Sequence, residues 1–229
     1  MIEYLIVCPM VFLAGFIDAM AGGGGLISLP AYLIAGLPPH AAIGTNKFSA
    51  CLGTMVATWH FARNGIIYWR RALPAVVTAL TGSWLGAELA LWVDAEAFKL
   101  VMLIVIPMTG FYVLFKKPFR ADKKPFSDTK TILITLALGF LIGIYDGFYG
   151  PGTGTFLILL LTAVAHVSLN EAAGTTKIIN LSTNLAALAV FLLNGVVLFP
   201  LALVAAVFGI AGNYMGANYF TSKGTGFVK

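Results

Sequence analysis

The chain alternates long apolar runs with short polar or glycine-rich breaks. Residues 2–20 are apolar apart from Glu3 and Asp18, and four glycines, Gly22 to Gly25, follow. A short apolar stretch at 26–36 ends at Gly36, Pro38 and Pro39. A longer segment covers 41–62, with basic residues after it at Arg63, Arg70 and Arg71. Segments 72–93, interrupted only by Glu88, and 97–115 come next. A polar stretch from Lys116 to Lys130 then holds six basic and two acidic residues. The pattern restarts with 131–149, apolar except for Asp146, a glycine-rich break at Gly150–Gly154, a short piece at 155–165, and segments 172–193 and 196–220. A helix needs about 20 apolar residues to cross a bilayer. The long segments are predicted to cross, and the pieces at 26–36 and 155–165 are too short to cross alone.

The restart is an internal repeat. Gly15, Asp18, Gly22 and Gly24 recur 128 residues later as Gly143, Asp146, Gly150 and Gly152. Ala42, Gly44, Thr45 and Lys47 recur 130 residues later as Ala172, Gly174, Thr175 and Lys177. The same shift relates Asn64-Gly65 to Asn194-Gly195, and Gly82, Gly86 and Ala87 to Gly212, Gly216 and Ala217. Shared Asp, Lys and Asn-Gly in one register mark a duplication. The expected organisation is a first transmembrane repeat at 1–115, a linker at 116–130 and a second repeat at 131–229. The span 97–115 has no counterpart before Lys229, so either the second repeat lacks its last helix or the sequence is part of something longer.

Composition narrows the class. Of 229 residues, 59% are hydrophobic and 10% charged, and mean hydropathy is +0.93. Soluble domains carry about 25% charged residues. Disorder needs the opposite balance. The 25 glycines fit membrane helices, where Gly is frequent. The fold class expected is an all-α polytopic membrane protein. Cys8 and Cys51 lie in apolar segments and read as buried thiols.

The formal charge of +5 follows topology rather than nucleic-acid binding. Cytoplasmic loops are enriched in Lys and Arg. With 63–71 and the linker 116–130 inside, eleven of the 14 basic residues are cytoplasmic, and Lys99 sits near the outer surface. The two repeats then have opposite orientations. Inverted-topology repeats with glycine-broken short helices are a recurring architecture of secondary transporters. Trp59, Tyr68, Trp69 and Trp92 fall near predicted interfaces as anchors.

Lys47 and Lys177 remain, at matching positions inside apolar segments. A charge there costs at least about 2.5–3.5 kcal/mol and faces a cavity or a partner, unless the side chain snorkels to the headgroups. Gly44-Thr45-Asn46-Lys47 and Gly174-Thr175-Thr176-Lys177 read as helix starts. Their free N–H groups, hydroxyls and ammonium would suit a small oxyanion. Gly24 and Gly152, in the glycine-rich breaks, would add close N–H groups. Asn180 and Asn184 share a helix face with Lys177, and Ser49 and Thr54 are the sparser polar residues after Lys47. Asp18 and Asp146, also paired by the repeat, are candidate ion-coupling groups, static partners of the lysines, or caps. His40, His60 and His166 have no metal-ligand spacing, and no nucleophile set suggests an enzyme. No cofactor or metal is expected.

The motifs AGFIDAMAGGGGLISLP with AAIGTNK, repeated as IGIYDGFYGPGTGTFLI with AAGTTK, resemble the TauE/SafE sulfite exporter family, also called the toluene sulfonate uptake permeases. The resemblance covers nearly the whole chain. It implies a prokaryotic inner-membrane protein of about eight spans that moves sulfite, sulfonates, sulfoacetate or related sulfur-containing anions by coupling to an ion. The expectation is thus a secondary transporter exporting such anions by alternating access, with a proton or sodium as the coupling ion. The alternative is an anion channel or facilitator.

Overall fold

The computed structural model describes residues 1–115 and 124–223. Among them are nine helices and no strand: α1 (Ile2–Ala21), α2 (Gly25–Ile34), α3 (Pro39–Arg63), α4 (Trp69–Trp92), α5 (Ala95–Phe115), α6 (Asp128–Phe148), α7 (Thr153–Ala163), α8 (Leu169–Leu193) and α9 (Phe199–Lys223). The charged linker positions Lys116, Lys117, Arg120, Asp122 and Lys123, and Lys229 at the end of the chain, lie outside the described residues.

Six of these helices are long and apolar enough to cross a membrane, namely α1, α4, α5, α6, α8 and α9. The protein is an all-helical, multi-pass membrane protein. The helix α3 matches α8 in length at 25 residues but falls outside that set. Asn46, Lys47, Ser49, Thr54, Thr58 and His60 dilute its apolar character. α2 and α7, at 10 and 11 residues, are the short pieces.

The predicted segments are all present, but the starts of α3 and α8 need correction. The Gly44–Lys47 and Gly174–Lys177 stretches are not helix starts. They lie more than a turn inside helices that begin at Pro39 and Leu169. Pro39 sits in the first turn, where its missing N–H removes nothing from the helix. At α8 the Ser168 hydroxyl accepts the Glu171 N–H at 3.3 Å, the geometry of a Ser-x-x-Glu cap.

Each glycine-rich break folds a short helix back along the preceding long one. Beside the first turn, Gly24 presses on Ala14 and Asp18, and Val7 and Val11 share a cluster with Leu29 and Tyr32. In the second, Ile134 and Leu138 of α6 pack on Ile158, Leu161 and Ala165. The Tyr145 hydroxyl also donates to the Pro151 carbonyl at 2.6 Å. Gly22, Gly150 and Gly152 have φ of 78°, 94° and 82°, the left-handed region open to glycine. The two turns touch. The Thr155 N–H donates to the Gly22 carbonyl at 2.9 Å, and its hydroxyl donates to Ala21 O at 3.1 Å. Irregular backbone at membrane depth is tolerated only where protein surrounds it, and Gly22–Gly24 and Pro151–Gly154 are buried.

The repeats interlock through equivalent seams. α1 packs along α9, and α4 along α6. Gly212 and Gly216 of α9 sit on the carbonyls of Phe12 and Phe16, as Gly82 and Gly86 of α4 sit on those of Phe140 and Ile144. A side chain at any of the four would strike backbone. Small residues let helices approach this closely in membranes, where packing replaces the hydrophobic effect. The Gly-Thr stretches serve a similar purpose. Gly44 packs under Val196 and Gly174 against Ile66 and Ile67, each beside the other repeat's Asn-Gly turn. The Thr45 hydroxyl accepts the Leu198 N–H at 3.1 Å.

At one end of the bundle Arg71 ties three helix starts together, bonding Asp128 of α6 and, at 2.8 Å, Glu171 of α8. Its side chain is 16% exposed. Replacing Arg71 by Ala should cost about 1.5–3 kcal/mol, as for hydrogen bonds to charged groups. The check is the melting temperature in detergent, where a drop of several degrees is expected for a chain of this size. Trp59, Tyr68, Trp69 and Trp92 are exposed, with Arg63 and Arg71 over the rings of Trp59 and Tyr68. Both thiols, Cys8 and Cys51, are buried and free.

Candidate functional site

Lys47 and Lys177 each stand at the ninth position of their helix, and both are buried, at 3% and 1% exposure. Neither snorkels. Each is neutralised by the other repeat's aspartate. Lys47 Nζ lies 2.7 Å from Asp146 Oδ2, and Lys177 Nζ lies 3.0 Å from Asp18 Oδ2. Leaving a buried charge unpaired costs several kcal/mol, so these crossed pairs hold α3 to α6 and α8 to α1.

The two pairs differ in their remaining bonds. Lys47 also donates to Asn184 Oδ1 at 3.1 Å. Asp146 Oδ1 accepts the Thr153 hydroxyl at 2.7 Å. Lys177 instead donates to the main-chain carbonyl of Asp18, which also accepts the Gly22 N–H at 2.9 Å. That second pair therefore grips the last turn of α1.

A cavity of about 60 Å³ lies between the two glycine turns. At about 10–15 Å³ per water, it would hold roughly four to six water-sized groups, the scale of a small oxyanion. Lys47, Asn46, Asn180, Asn184, Gly24, Gly152, Asp18 and Asp146 line it, as do Ser49 and Thr54. Thr45, Thr175, Thr176 and Lys177 are buried but are not part of its lining. Asn184 serves Lys47 rather than Lys177, although the helical spacing had placed it with the latter.

Helix starts do face the cavity, but they are those of α2 and α7. Gly24 and Gly25 at the first, and Gly152, Thr153 and Gly154 at the second, are lining residues. The N–H groups of Leu26, Ile27, Thr153 and Thr155 at these starts already bond the carbonyls of Gly23, Gly24, Gly150 and Gly22, so it is the positive dipole ends that favour an anion. Broken helices in transporters aim such starts at anionic substrates.

Ser28, Tyr149, Thr153, Gly209 and Asn213 also line the cavity and were not singled out in the sequence. Asn213 is the most informative. Its amide nitrogen donates to Gly209 O at 3.0 Å, while its Oδ1 is buried without a partner. An amide in the apolar middle of α9, between Gly212 and Gly216, is the available signal.

The histidines are used elsewhere. His40 bonds Ala90 O and stacks on Phe98, His60 meets Thr221, and His166 bonds Lys124 O. Among the described residues no group of three His, Cys, Asp or Glu could hold a metal.

The sulfite exporter TauE/SafE family model matches residues 7–229. The chain belongs to the TauE/SafE family. Relatives of this family member include "Probable membrane transporter protein ORF9" of Sinorhizobium sp, 37% identical over 95% of this chain and 83% of its own length. A Haemophilus influenzae "Probable membrane transporter protein" is 36% identical over 95% of this chain and 85% of its own length. Escherichia coli "Probable membrane transporter protein YfcA" is 32% identical over 95% and 80%. No solved structure matches this TauE/SafE chain.

Proposed function

We propose that this TauE/SafE protein is a secondary transporter of small sulfur-containing anions such as sulfite or a sulfonate, moving them outward across a prokaryotic inner membrane by alternating access. The observation that carries this reading is Lys47, a buried ammonium that opens on a small cavity between two helix starts. The ammonium has three N–H donors. Asp146 and Asn184 take two of them, which leaves one for an anion.

Several features support the architecture. Repeat-related helices pack in equivalent pairs, and the broken helices meet at the cavity, as expected of two inverted repeats rocking about a central site. Arg63, Arg70 and Arg71 precede or open α4, and Lys223 ends α9 beside the α3 end that carries His60. Basic residues at these ends, with the charged linker 116–130, are consistent with a cytoplasmic face there. In this reading residues 1–115 and 131–229 are the two moving repeats.

The test is flux of radiolabelled sulfite and methanesulfonate into proteoliposomes. Saturable uptake that is competed by the unlabelled anion is expected. Uptake that never saturates would favour a channel, and absence of flux for both anions would overturn the substrate class.

A further inference from the structure

We propose that the two crossed ion pairs divide the work: Lys47–Asp146 opens to take the anion while Asp146 binds one proton, and Lys177–Asp18 stays closed as a brace. This rests on the transport reading above.

Charge balance is the first argument. The site holds two ammonium groups and two carboxylates, all buried or largely so. It is neutral before any substrate arrives. A monovalent anion would bring it to a net charge of −1 inside a low-dielectric region, where an uncompensated charge is heavily penalised. One positive charge must enter with the anion.

Geometry then selects where it goes. Lys47 and Asp146 both line the cavity, whereas Lys177 does not. Opening the Lys177 pair would release the Asp18 carbonyl that holds the Gly22 turn. Opening the Lys47 pair breaks no bond to main chain, because Lys47 meets only the Asp146 and Asn184 side chains. Asp146 also meets the Thr153 hydroxyl through Oδ1, sharing that hydroxyl's hydrogen with the Gly150 carbonyl. It can lose the ammonium and keep its place.

The step balances. A proton from the side of anion entry binds Asp146 Oδ2 as the Lys47 ammonium turns from that oxygen to the anion. On the far side the anion leaves, the proton leaves Oδ2, and the ammonium returns. One proton and one monovalent anion cross together, with no net charge moved, so outward flux occurs when the anion's own outward gradient exceeds the inward proton gradient.

The groups facing Asp146 are Lys47 from α3, Asn184 behind it on α8, and Thr153 from α7. Tyr145 lies on its own helix and Tyr149 directly after that helix, and Asp18 of α1 shares the cavity. From α4, the neighbours of this part of α6 are the uncharged Ser83 and Gly86.

The test uses methanesulfonate, whose charge is constant across the working pH range, in proteoliposomes of the full chain. A proton gradient, acid on the anion side, should raise uptake several-fold, and an imposed membrane potential should leave it unchanged. In detergent, binding should take up about one proton per anion from a weakly buffered solution. In Asp146→Asn the ratio of uptake with and without the gradient should fall to one, whatever flux remains. In Asp18→Asn the melting temperature should fall, because Lys177 is left without its carboxylate. Saturable wild-type uptake that ignores the proton gradient, or is driven by membrane potential or sodium instead, overturns this proposal alone. So does binding without proton uptake, a gradient response kept by Asp146→Asn, or an Asp18→Asn variant as stable as the wild type. Absence of saturable uptake of both sulfite and methanesulfonate would overturn the transport reading itself.

Discussion

Replacing Lys47 by Met should lower saturable anion flux at least about thirtyfold. Truncating one member of a buried, hydrogen-bonded charge pair costs about 2–5 kcal/mol, and every tenfold is about 1.4 kcal/mol. The single variant also strands Asp146, at a folding cost of about 3–5 kcal/mol. The double variant Lys47→Met/Asp146→Asn removes that strain, because no charge is left unpaired. It should fold, as judged by monodisperse elution and melting temperature, and still fail to transport. Normal flux in the folded double variant would remove Lys47 from the site. Lys177→Met should differ in kind. Its loss frees the Asp18 carbonyl and the end of α1, so lowered stability should dominate.

The second large effect is expected at Gly22. Its φ of 78° is strained for any residue with a Cβ, and that Cβ would sit 2.6 Å from Gly154 Cα in the opposing turn. The neighbour is backbone on both sides, so neither turn can yield by changing a rotamer. Gly22→Ala should cost about 1–3 kcal/mol from overpacking, with the backbone penalty in addition. A melting-temperature loss of roughly 5–10 °C or more, or failure to express in the membrane, is the expected readout. Gly65→Ala is the internal comparison. It shares a φ of 67° but has nothing within 4 Å of its Cβ, so it should lose clearly less. Equal losses in the two variants would mean that the contact between the turns contributes little.

Much of the architecture was legible in the sequence because membrane helices announce themselves by length and apolarity. The repeat was legible because Asp, Lys and Asn-Gly recurred in one register. Gly44 and Gly174 do not start α3 and α8, although glycine commonly punctuates helices. Both are helical residues whose missing side chain admits the opposite repeat's Asn-Gly turn. The signals that do start those helices, Pro38-Pro39 and Ser168-x-x-Glu171, were present and outweighed by the glycines.

Within the site, Lys47, Asp146, Lys177 and Asp18 could be named from burial cost alone. Their pairing could not, since the partners are 99 and 159 residues apart and belong to opposite repeats. The cavity is also one-sided. Asn213 lines it, whereas its repeat counterpart Ser83 donates its hydroxyl to Thr183 O at 2.6 Å. Ser49 lines it, whereas its counterpart Ile179 joins Ala75, Ala79 and Leu157 in a packed apolar cluster. The lysines and aspartates recur in both repeats, with polar residues sparser after Lys47 than after Lys177. Packing turns one half-site into a cavity and fills the other.

On the proposed reading Lys47, which lines the cavity between the starts of α2 and α7, is the anion's ligand. An experimental structure with methanesulfonate bound tests it most directly. The sulfonate oxygens should lie about 3 Å from Lys47 Nζ, a hydrogen-bond distance, with Asp146 no longer contacting the ammonium and Lys177 still joined to Asp18. A sulfonate bound away from Lys47 would contradict it, and one bound to Lys47 with the Lys47–Asp146 pair intact would contradict the opening of that pair.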